Sequence, residues 1–308
     1  MVLILKGKGK VSMYFNYRGI NIHYECIGEG IPFFMIHGFE CDKELMKGCM
    51  EPVMEKYDGY KRIYIDLPGM GKSESASWIS SSNSILDMLC EFISVIVAGE
   101  KFIIAGESYG GYLTRGILSR FTDRVYGMFL ICPLILSDYS KMDISRTNLK
   151  FMDDNFYEEN KDDEDFKEFM KNAVIVNEYT YERYKNEILC GLKIADSKFL
   201  NQLSRNYRFP FDVDEKVQNM RFDQPVTILC GRQDNSVGYR DLLKISEDYK
   251  RCSISVVDMA GHNLQIERPE VFNLELQDFL KRVEIEIEEQ KAKKEGDYSN
   301  MKYSKHRR

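Results

Sequence analysis

The chain has few of the features that mark membrane, secreted or nucleic-acid-binding proteins. Nowhere in its 308 residues does an uninterrupted apolar run approach the roughly 18 residues that a membrane helix requires. Its N-terminus, MVLILKGKGK, places the lysines after a short apolar stretch, whereas a secretory signal has its charges first and a longer apolar run. The net charge of −6 offers no basic surface for nucleic acid. These absences predict a cytoplasmic protein that neither inserts into a membrane nor binds nucleic acid.

Cysteine and histidine are too scattered to form a metal-binding motif. The eight cysteines include no CxxC pair, and several lie in apolar runs such as FLICPL and TILCGR. We therefore expect reduced, mostly buried thiols and no metal or other cofactor. Only four histidines are present, so any chemistry that needs an imidazole must use one of them.

Eight short runs rich in β-branched and aromatic residues predict eight strands. The first two alternate apolar and polar residues and are joined at Arg18-Gly19, which predicts a β-hairpin. The later runs are continuously apolar, as expected for parallel strands buried on both faces. Helical periodicity between the runs, as in residues 85–96, predicts an α/β fold with a mostly parallel sheet. The predicted strands cover residues 11–17, 20–26, 32–38, 62–68, 102–108, 128–134, 226–232 and 253–259.

The stretch from 137 to 217 interrupts this alternation. It contains no convincing strand, but its apolar residues recur at helical spacing. Its acidic segment, residues 152–169, could attract a cationic substrate, although a solvated helix surface explains the same composition. We predict a first core part at 1–136, a helical cap or lid at 137–217, a second core part at 218–283 and a charged, mobile tail at 284–308.

The segment DLPGMGKS, residues 66–73, ends in a Gly-Lys-Ser triplet that is also found in phosphate-binding loops. A Walker A motif, GxxxxGK[ST], requires glycine where this chain has Asp66. An aspartate there would remove the glycine turn and place a negative charge beside the phosphates. The loop does follow an apolar strand, as a P-loop would, but its sequence disfavours a nucleotide site.

The segment AGESYGGYL, residues 105–113, contains the pattern GxSxG at Gly106, Ser108 and Gly110. It lies between an apolar strand and an amphipathic helix, which is the setting of a nucleophile elbow. Such a turn lifts the serine above the sheet, and the glycines leave room where a Cβ would collide. Ser108 is therefore the predicted nucleophile, and Glu107 is interpreted as an elbow position that tolerates many residues.

A serine nucleophile needs a neighbouring base, which must be one of the four histidines. His306 lies in the predicted tail and His23 in the entry hairpin. His262 follows the last predicted strand in a loop and is the predicted base. His37 ends an earlier strand, and we interpret it as a ring that is hydrogen-bonded to hold the adjacent turn.

An acid is then needed to orient the histidine and stabilise its cation. Asp234 directly follows the strand at 226–232 and is the predicted acid, which makes the chain order Ser, Asp, His. Asp138, after the preceding strand, is the alternative.

Five motifs in this order resemble those of the α/β-hydrolase superfamily. The resemblance spans most of residues 20–280, and it implies an eight-stranded α/β-hydrolase sheet with a helical cap after the sixth strand. In that family the DxxGxGxS loop is structural and carries no nucleotide. The motifs are HGFE (37–40), DLPGMGKS (66–73), GESYGG (106–111), GRQDNSV (231–237) and GHNLQIERP (261–269).

The resemblance also implies a division of catalytic roles. Ser108 would attack an acyl carbon while His262 accepts its proton and Asp234 orients the imidazole. The backbone N–H groups of Phe39 and Tyr109 match the positions that form the oxyanion hole. The residues of the supporting loops are His37, Gly38, Gly106 and Gly110.

These roles predict a serine hydrolase that cleaves a small carboxylic ester or amide through an acyl-enzyme on Ser108. A proline-iminopeptidase-like aminopeptidase and a C–C bond hydrolase are alternatives, although GESYGG and HGFE differ from the GGSWGG and HGGPG motifs of proline iminopeptidases. A ligand-binding homologue without catalysis is the non-enzyme alternative, and a long distance between His262 and Ser108 would favour it. The sequence does not indicate an oligomeric state.

Overall fold

A nine-stranded mixed sheet forms the centre of the protein in the computed structural model, which describes residues 2–7, 10–135, 143–144, 150–220 and 222–295. Two further strands of two residues each form a separate pair. In chain order the strands are β1 (Val2–Gly7), β2 (Lys10–Tyr17), β3 (Ile20–Ile27), β4 (Ile31–Ile36), β5 (Tyr60–Ile65), β6 (Phe102–Glu107), β7 (Val125–Ile131), β8 (Phe151–Met152), β9 (Ile175–Val176), β10 (Val226–Gly231) and β11 (Cys252–Val257).

The large sheet has the spatial order β1-β2-β3-β5-β4-β6-β7-β10-β11. Its last six strands are parallel, and β1, β2 and β3 join them through antiparallel pairs. All eight predicted strands are present, so the predicted mostly parallel α/β sheet is confirmed. The ninth strand, β1, was not predicted, because its short apolar run acquires strand geometry only by pairing with the open edge of β2.

The predicted hairpin at Arg18-Gly19 is also confirmed. Strands β2 and β3 pair antiparallel up to Tyr17 and Ile20, directly on either side of the turn. Arg18 and Gly19 have φ values of 50° and 97°. Two consecutive positive φ values define a type I′ turn, whose twist matches that of the flanking strands.

Helices pack against the sheet in two groups. Helix α1 contacts α12, whereas α2 contacts α3. No helix among the described residues is long and apolar enough to cross a membrane. The helices are α1 (Lys43–Met54), α2 (Ser82–Ile96), α3 (Tyr109–Phe121), α4 (Asp154–Asn160), α5 (Glu164–Asn172), α6 (Glu178–Tyr184), α7 (Cys190–Leu192), α8 (Ser197–Ser204), α9 (Val213–Asn219), α10 (Arg240–Ser246), α11 (Leu264–Glu267) and α12 (Pro269–Glu295).

The described residues between β7 and β10 are mostly helical, with α4 to α9 in sequence. The sequence predicted no strand there, whereas β8 and β9 form a parallel pair. Strands of two residues leave no periodicity to detect, which explains the difference. The predicted start of this segment at 137 lies outside the described residues.

The acidic segment at 152–169 forms the exposed surface of two short helices. Asp153 and Asp163 are N-caps whose side chains accept backbone N–H groups at the starts of α4 and α5. Glu164 pairs with Lys167 at 2.7 Å, one turn along the same exposed helix face. Helix capping and solvated ion pairs therefore account for the acidic composition without a cationic substrate.

The predicted start of the charged tail, residue 284, is too early. Helix α12 continues to Glu295, and Ile287 is buried against the core. Glu284 accepts a hydrogen bond from the Tyr60 hydroxyl at 3.0 Å, and Glu286 pairs with Arg251. These carboxylates have partners in the fold that a charge count along the sequence cannot reveal. Residues 296–308 lie outside the described residues.

Candidate active site

Ser108 occupies a strained turn between β6 and α3. Its φ of 51° and ψ of −115° are rare for a residue with a side chain. A Cβ on Gly106 would lie 2.4 Å from the Gly110 carbonyl oxygen, and one on Gly110 would lie 2.1 Å from that of Ile36. Both positions therefore need glycine, as the elbow pattern predicts. The turn places Ser108 at the carboxyl ends of the parallel strands.

The structure brings Ser108, His262 and Asp234 into one continuous hydrogen-bonded chain. The Ser108 Oγ lies 2.9 Å from the His262 Nε2. The His262 Nδ1 lies 2.9 Å from an Asp234 carboxylate oxygen, and the Asp234 side chain is fully buried. The alternative acid, Asp138, lies outside the described residues. Both distances lie within the hydrogen-bond range that general-base catalysis requires.

The charges around His262 favour its cationic form. Burial opposes that form, but the Asp234 and Glu107 carboxylates outweigh burial and raise the pKa of His262 to about 9. Burial likewise opposes the charge of Asp234, yet its contacts with His262 and with two backbone N–H groups lower the pKa of Asp234. Asp234 is therefore ionised, and its charge stabilises the imidazolium form of His262.

The predicted oxyanion-hole residues flank the serine. Tyr109 directly follows Ser108 as the first residue of α3. The loop that carries Phe39 packs against the nucleophile, because a Cβ added to Gly38 would lie 3.4 Å from the Ser108 Cβ. Within the described ranges, neither Phe39 nor Tyr109 has an acceptor for its backbone N–H. The Tyr109 N–H lies at the start of α3, where unpaired backbone donors favour a bound anion. Their catalytic role stays a prediction.

Three aromatic rings form a cluster beside the serine. The Tyr207 ring stacks on Tyr109 with centroids 4.7 Å apart and meets Phe39 edge-on at 5.3 Å. The Phe39 and Tyr109 rings meet edge-on at 5.5 Å. The helical segment therefore contributes Tyr207 to the wall next to the candidate oxyanion hole.

His37 holds the neighbouring turn with both of its ring nitrogens. Its Nδ1 donates to the Gly38 carbonyl at 2.7 Å, and its Nε2 accepts the Leu67 backbone N–H at 3.0 Å. Complete burial is the main cause that lowers the pKa of His37 to about 4, so the ring is neutral. This arrangement agrees with the structural interpretation of His37 and leaves His262 as the candidate base.

A sequence model described as "alpha/beta hydrolase fold" matches residues 31–269 of this chain. The chain belongs to this family. The expected α/β-hydrolase resemblance is thereby confirmed.

Solved structures and curated proteins are similar to this chain over most of its length. An alpha/beta superfamily hydrolase from Oenococcus oeni is 34% identical, covers 88% of this chain and 99% of its own, and has a TM-score of 0.78. A pimeloyl-[acyl-carrier protein] methyl ester esterase of Legionella pneumophila is 22% identical over 85% of this chain and its whole length. Monoacylglycerol lipase abhd6-B of Xenopus laevis is 23% identical over 88% of this chain and 81% of its own. These similarities support a hydrolase of the carboxylesterase type.

In this α/β-hydrolase, the side chain of Asp66 occupies the space enclosed by the DLPGMGKS loop. The Asp66 carboxylate accepts the backbone N–H groups of Lys43 at 2.8 Å and Lys72 at 3.1 Å, and it contacts the His23 Nδ1 at 2.7 Å. A Cβ on Gly71 would lie 2.4 Å from the Asp66 Cγ. The carboxylate occupies the space that a phosphate would need, so the loop is structural.

Asp66→Asn is expected to remove the contribution that the ionised Asp66 carboxylate makes to the free energy of unfolding above about pH 4. Burial would raise the pKa of Asp66, but His23 and Lys43 outweigh it and lower the pKa to about 2. A depressed pKa contributes stability above the unfolded value near 4, which is lost as pH falls towards 2. At pH 6 we expect the free energy of unfolding of the variant to be about 2 kcal/mol lower than that of wild type. This difference should become smaller below pH 4, where Asp66 loses its charge in wild type. Urea unfolding between pH 2 and 6 measures it.

Asp58→Asn, at an exposed position, is the matched control and should behave as wild type at every pH. A constant difference between the Asp66 variant and wild type over the whole pH range would contradict the assignment.

Two buried glutamates belong to the site but were not predicted as part of it. Glu107, interpreted as a variable elbow position, is buried with one oxygen 3.4 Å from the His262 Nε2. Glu267 accepts the backbone N–H groups of Val174 at 2.5 Å and Gly261 at 2.6 Å. It thereby ties the helical segment to the His262 loop. Their positions inside two recognised motifs were the only sequence signal.

One group of side chains among the described residues could offer ligands to a metal ion. Single ligand atoms of Cys132, Asp234 and His262 all lie within 4.8 Å of one another. The Asp234 carboxylate already accepts from His262 and from two backbone N–H groups. Metal binding here would therefore break the hydrogen bond that orients the candidate base.

Proposed function

We propose that this α/β-hydrolase cleaves a small carboxylic ester through an acyl-enzyme on Ser108. The observation that carries the proposal is the continuous chain of two 2.9 Å hydrogen bonds from Ser108 through His262 to Asp234. Asp234 lies 126 residues after Ser108 in the sequence, and His262 lies 28 residues after Asp234. The three side chains nevertheless meet at one edge of the sheet, with the atoms that general-base catalysis requires.

In the proposed reaction, the Ser108 Oγ attacks the ester carbonyl carbon as its proton passes to the His262 Nε2. The carbonyl oxygen becomes an oxyanion, which the backbone N–H groups of Phe39 and Tyr109 would stabilise. His262 then donates its proton to the leaving alkoxide, and the alcohol departs. Water, deprotonated by the same nitrogen, attacks the acyl-enzyme, and the carboxylic acid leaves as Ser108 regains its proton.

The helical segment is proposed to act as the cap that was predicted at 137–217. Its Asp196 backbone N–H donates to the Gly69 carbonyl at 2.8 Å. The Phe199 ring lies against Gly69, where an added Cβ would be 2.4 Å from the ring. With Tyr207 beside Tyr109, these contacts support a cap that shapes the acyl or alcohol pocket. The cytoplasmic location stays a prediction.

Ester hydrolysis is favoured over the alternatives on two grounds. The two similar curated proteins described above are a methyl ester esterase and a monoacylglycerol lipase, and both names denote ester hydrolysis. The 2.9 Å between His262 and Ser108 lies within the range that a general base needs, which counts against a binding homologue that lacks catalysis.

The proposal predicts that p-nitrophenyl esters are hydrolysed faster than the naphthylamides of proline and alanine. An ester has the better leaving group and needs less help from the general acid. Initial rates over a series of acyl lengths measure both the activity and the depth of the pocket. Ser108→Ala serves as the background control.

Faster cleavage of the proline naphthylamide would favour the aminopeptidase alternative. Ester rates equal to the Ser108→Ala background for every acyl length would contradict the proposal.

A further inference from the structure

Glu107 is a buried carboxylate that has no lysine or arginine partner among the described residues. It is the last residue of β6, directly before Ser108, and only 2% of it is exposed. Buried acids are normally paired with lysine or arginine. Among the described residues, the only basic side chain within 4 Å of the Glu107 carboxylate is His262.

The two Glu107 oxygens face the two functional parts of the site. One oxygen lies 3.4 Å from the His262 Nε2, the nitrogen that is also 2.9 Å from the Ser108 Oγ. The other oxygen lies against the HGFE loop, where a Cβ added to Gly38 would be only 2.2 Å from it. The loop therefore has room for this carboxylate only because residue 38 is glycine. The Gly38 backbone N–H also interacts with it.

We infer that Glu107 is a positioning residue, a second carboxylate that holds the Nε2 edge of His262 towards Ser108 and stabilises the imidazolium formed during attack. The inference rests on the proposed function, because it concerns the same proton transfer. Asp234 acts at Nδ1, whereas Glu107 acts at the edge of the ring where the proton arrives. Two carboxylates on opposite edges of one imidazole would make it a stronger base than either alone.

Other ionisable groups around the pair are few in the described part of the chain. Glu267 faces His262 from α11 through the Gly261 backbone, and Cys132 approaches from the end of β7. Cys41, from the loop before α1, and Cys49, from α1, are also near Glu107, and burial raises the pKa of both thiols, so both are neutral. Burial also raises the pKa of Glu107 to about 7, against the influence of His262. Glu107 is therefore ionised above neutral pH.

Glu107→Gln removes this charge and keeps the size and one acceptor oxygen. An opposite charge at this distance shifts a pKa by about one unit or more, so we expect the His262 pKa to fall by about one pH unit. The neutral base then appears at lower pH, but it is about tenfold weaker. Below pH 7 the Glu107 carboxyl is itself mostly protonated, so the inactivation rate of the variant should match that of wild type there. Well above pH 9, where His262 is neutral in both proteins, the rate should be lower in the variant, by up to about tenfold.

The experiment combines a kinetic and a spectroscopic measurement on the full chain. Rates of inactivation by a fluorophosphonate are measured from pH 5 to 10 for wild type, Glu107→Gln and Glu107→Asp, which keeps the charge. The His262 pKa is measured by NMR on histidine-labelled protein, in which four histidines give few signals and His262→Asn assigns the one of interest. Glu286→Gln, a buried glutamate of α12 that pairs with Arg251, is the control and should match wild type.

The inference is supported if Glu107→Gln lowers the His262 pKa and the alkaline rate while Glu107→Asp restores part of both. An unchanged His262 pKa, or an alkaline rate equal to or above that of wild type, would overturn it. Equal loss at every pH would also overturn it, because a purely structural role predicts that result. If wild type itself is not inactivated by the reagent, the proposed function fails, and the NMR titration still decides whether Glu107 and His262 interact.

Discussion

Replacing Ser108 by alanine is expected to lower kcat for ester hydrolysis by about 10⁶-fold, to near background. The Oγ that it removes is the atom within 2.9 Å of the His262 Nε2, and no acyl-enzyme can form without it. The measurement is the hydrolysis of the best p-nitrophenyl ester at saturating concentration. Alanine is also small enough to fit the strained turn, so we expect the variant to fold.

A second serine serves as the matched control. Ser94 lies in α2, where its hydroxyl donates to the Cys90 carbonyl at 2.8 Å, and Ser94→Ala should retain wild-type activity. A Ser108→Ala enzyme that still hydrolyses the ester at more than about a thousandth of the wild-type rate would contradict the acyl-enzyme, since oxyanion stabilisation alone cannot explain that rate.

Asp234→Asn is expected to lower kcat by about 10⁴-fold while the protein stays folded. The Asp234 carboxylate accepts from the His262 Nδ1, which leaves Nε2 free to accept the serine proton. An asparagine amide can donate to Nδ1 instead, and this stabilises the tautomer in which Nε2 carries the hydrogen and cannot act as a base. Steady-state kinetics on the same ester measures the loss.

Asp248→Asn, at the surface after α10, is the control and should leave kcat unchanged. Asp138→Asn tests the alternative acid. If Asp138→Asn is inactive and Asp234→Asn retains its activity, the assignment of the acid is wrong.

The strands and the nucleophile turn could be predicted because each depends on neighbours in sequence. Continuous apolar runs indicate strands buried on both faces, and the Gly106 and Gly110 pattern marks a turn that excludes a Cβ. The chain order of Ser108, Asp234 and His262 followed from loops that end parallel strands, which meet at one edge of the sheet.

The buried charged residues that were not predicted depend on contacts between segments that are distant in sequence. Glu267 is 93 residues from Val174, whose backbone N–H it accepts. Arg115 looks like an exposed residue of an amphipathic helix, but it is fully buried and pairs with Asp214 from α9. Periodicity reports which face of a helix is apolar. It does not report which charged side chains find partners beneath another helix.

The most direct test of the central claim is to label the protein with a fluorophosphonate and map the adduct by peptide mass spectrometry. We expect one adduct, on the peptide that contains Ser108, and strongly slowed labelling in His262→Gln because the serine then lacks its base. An adduct on another serine, or unchanged labelling of Ser108 without His262, would show that Ser108 is not a nucleophile activated by His262.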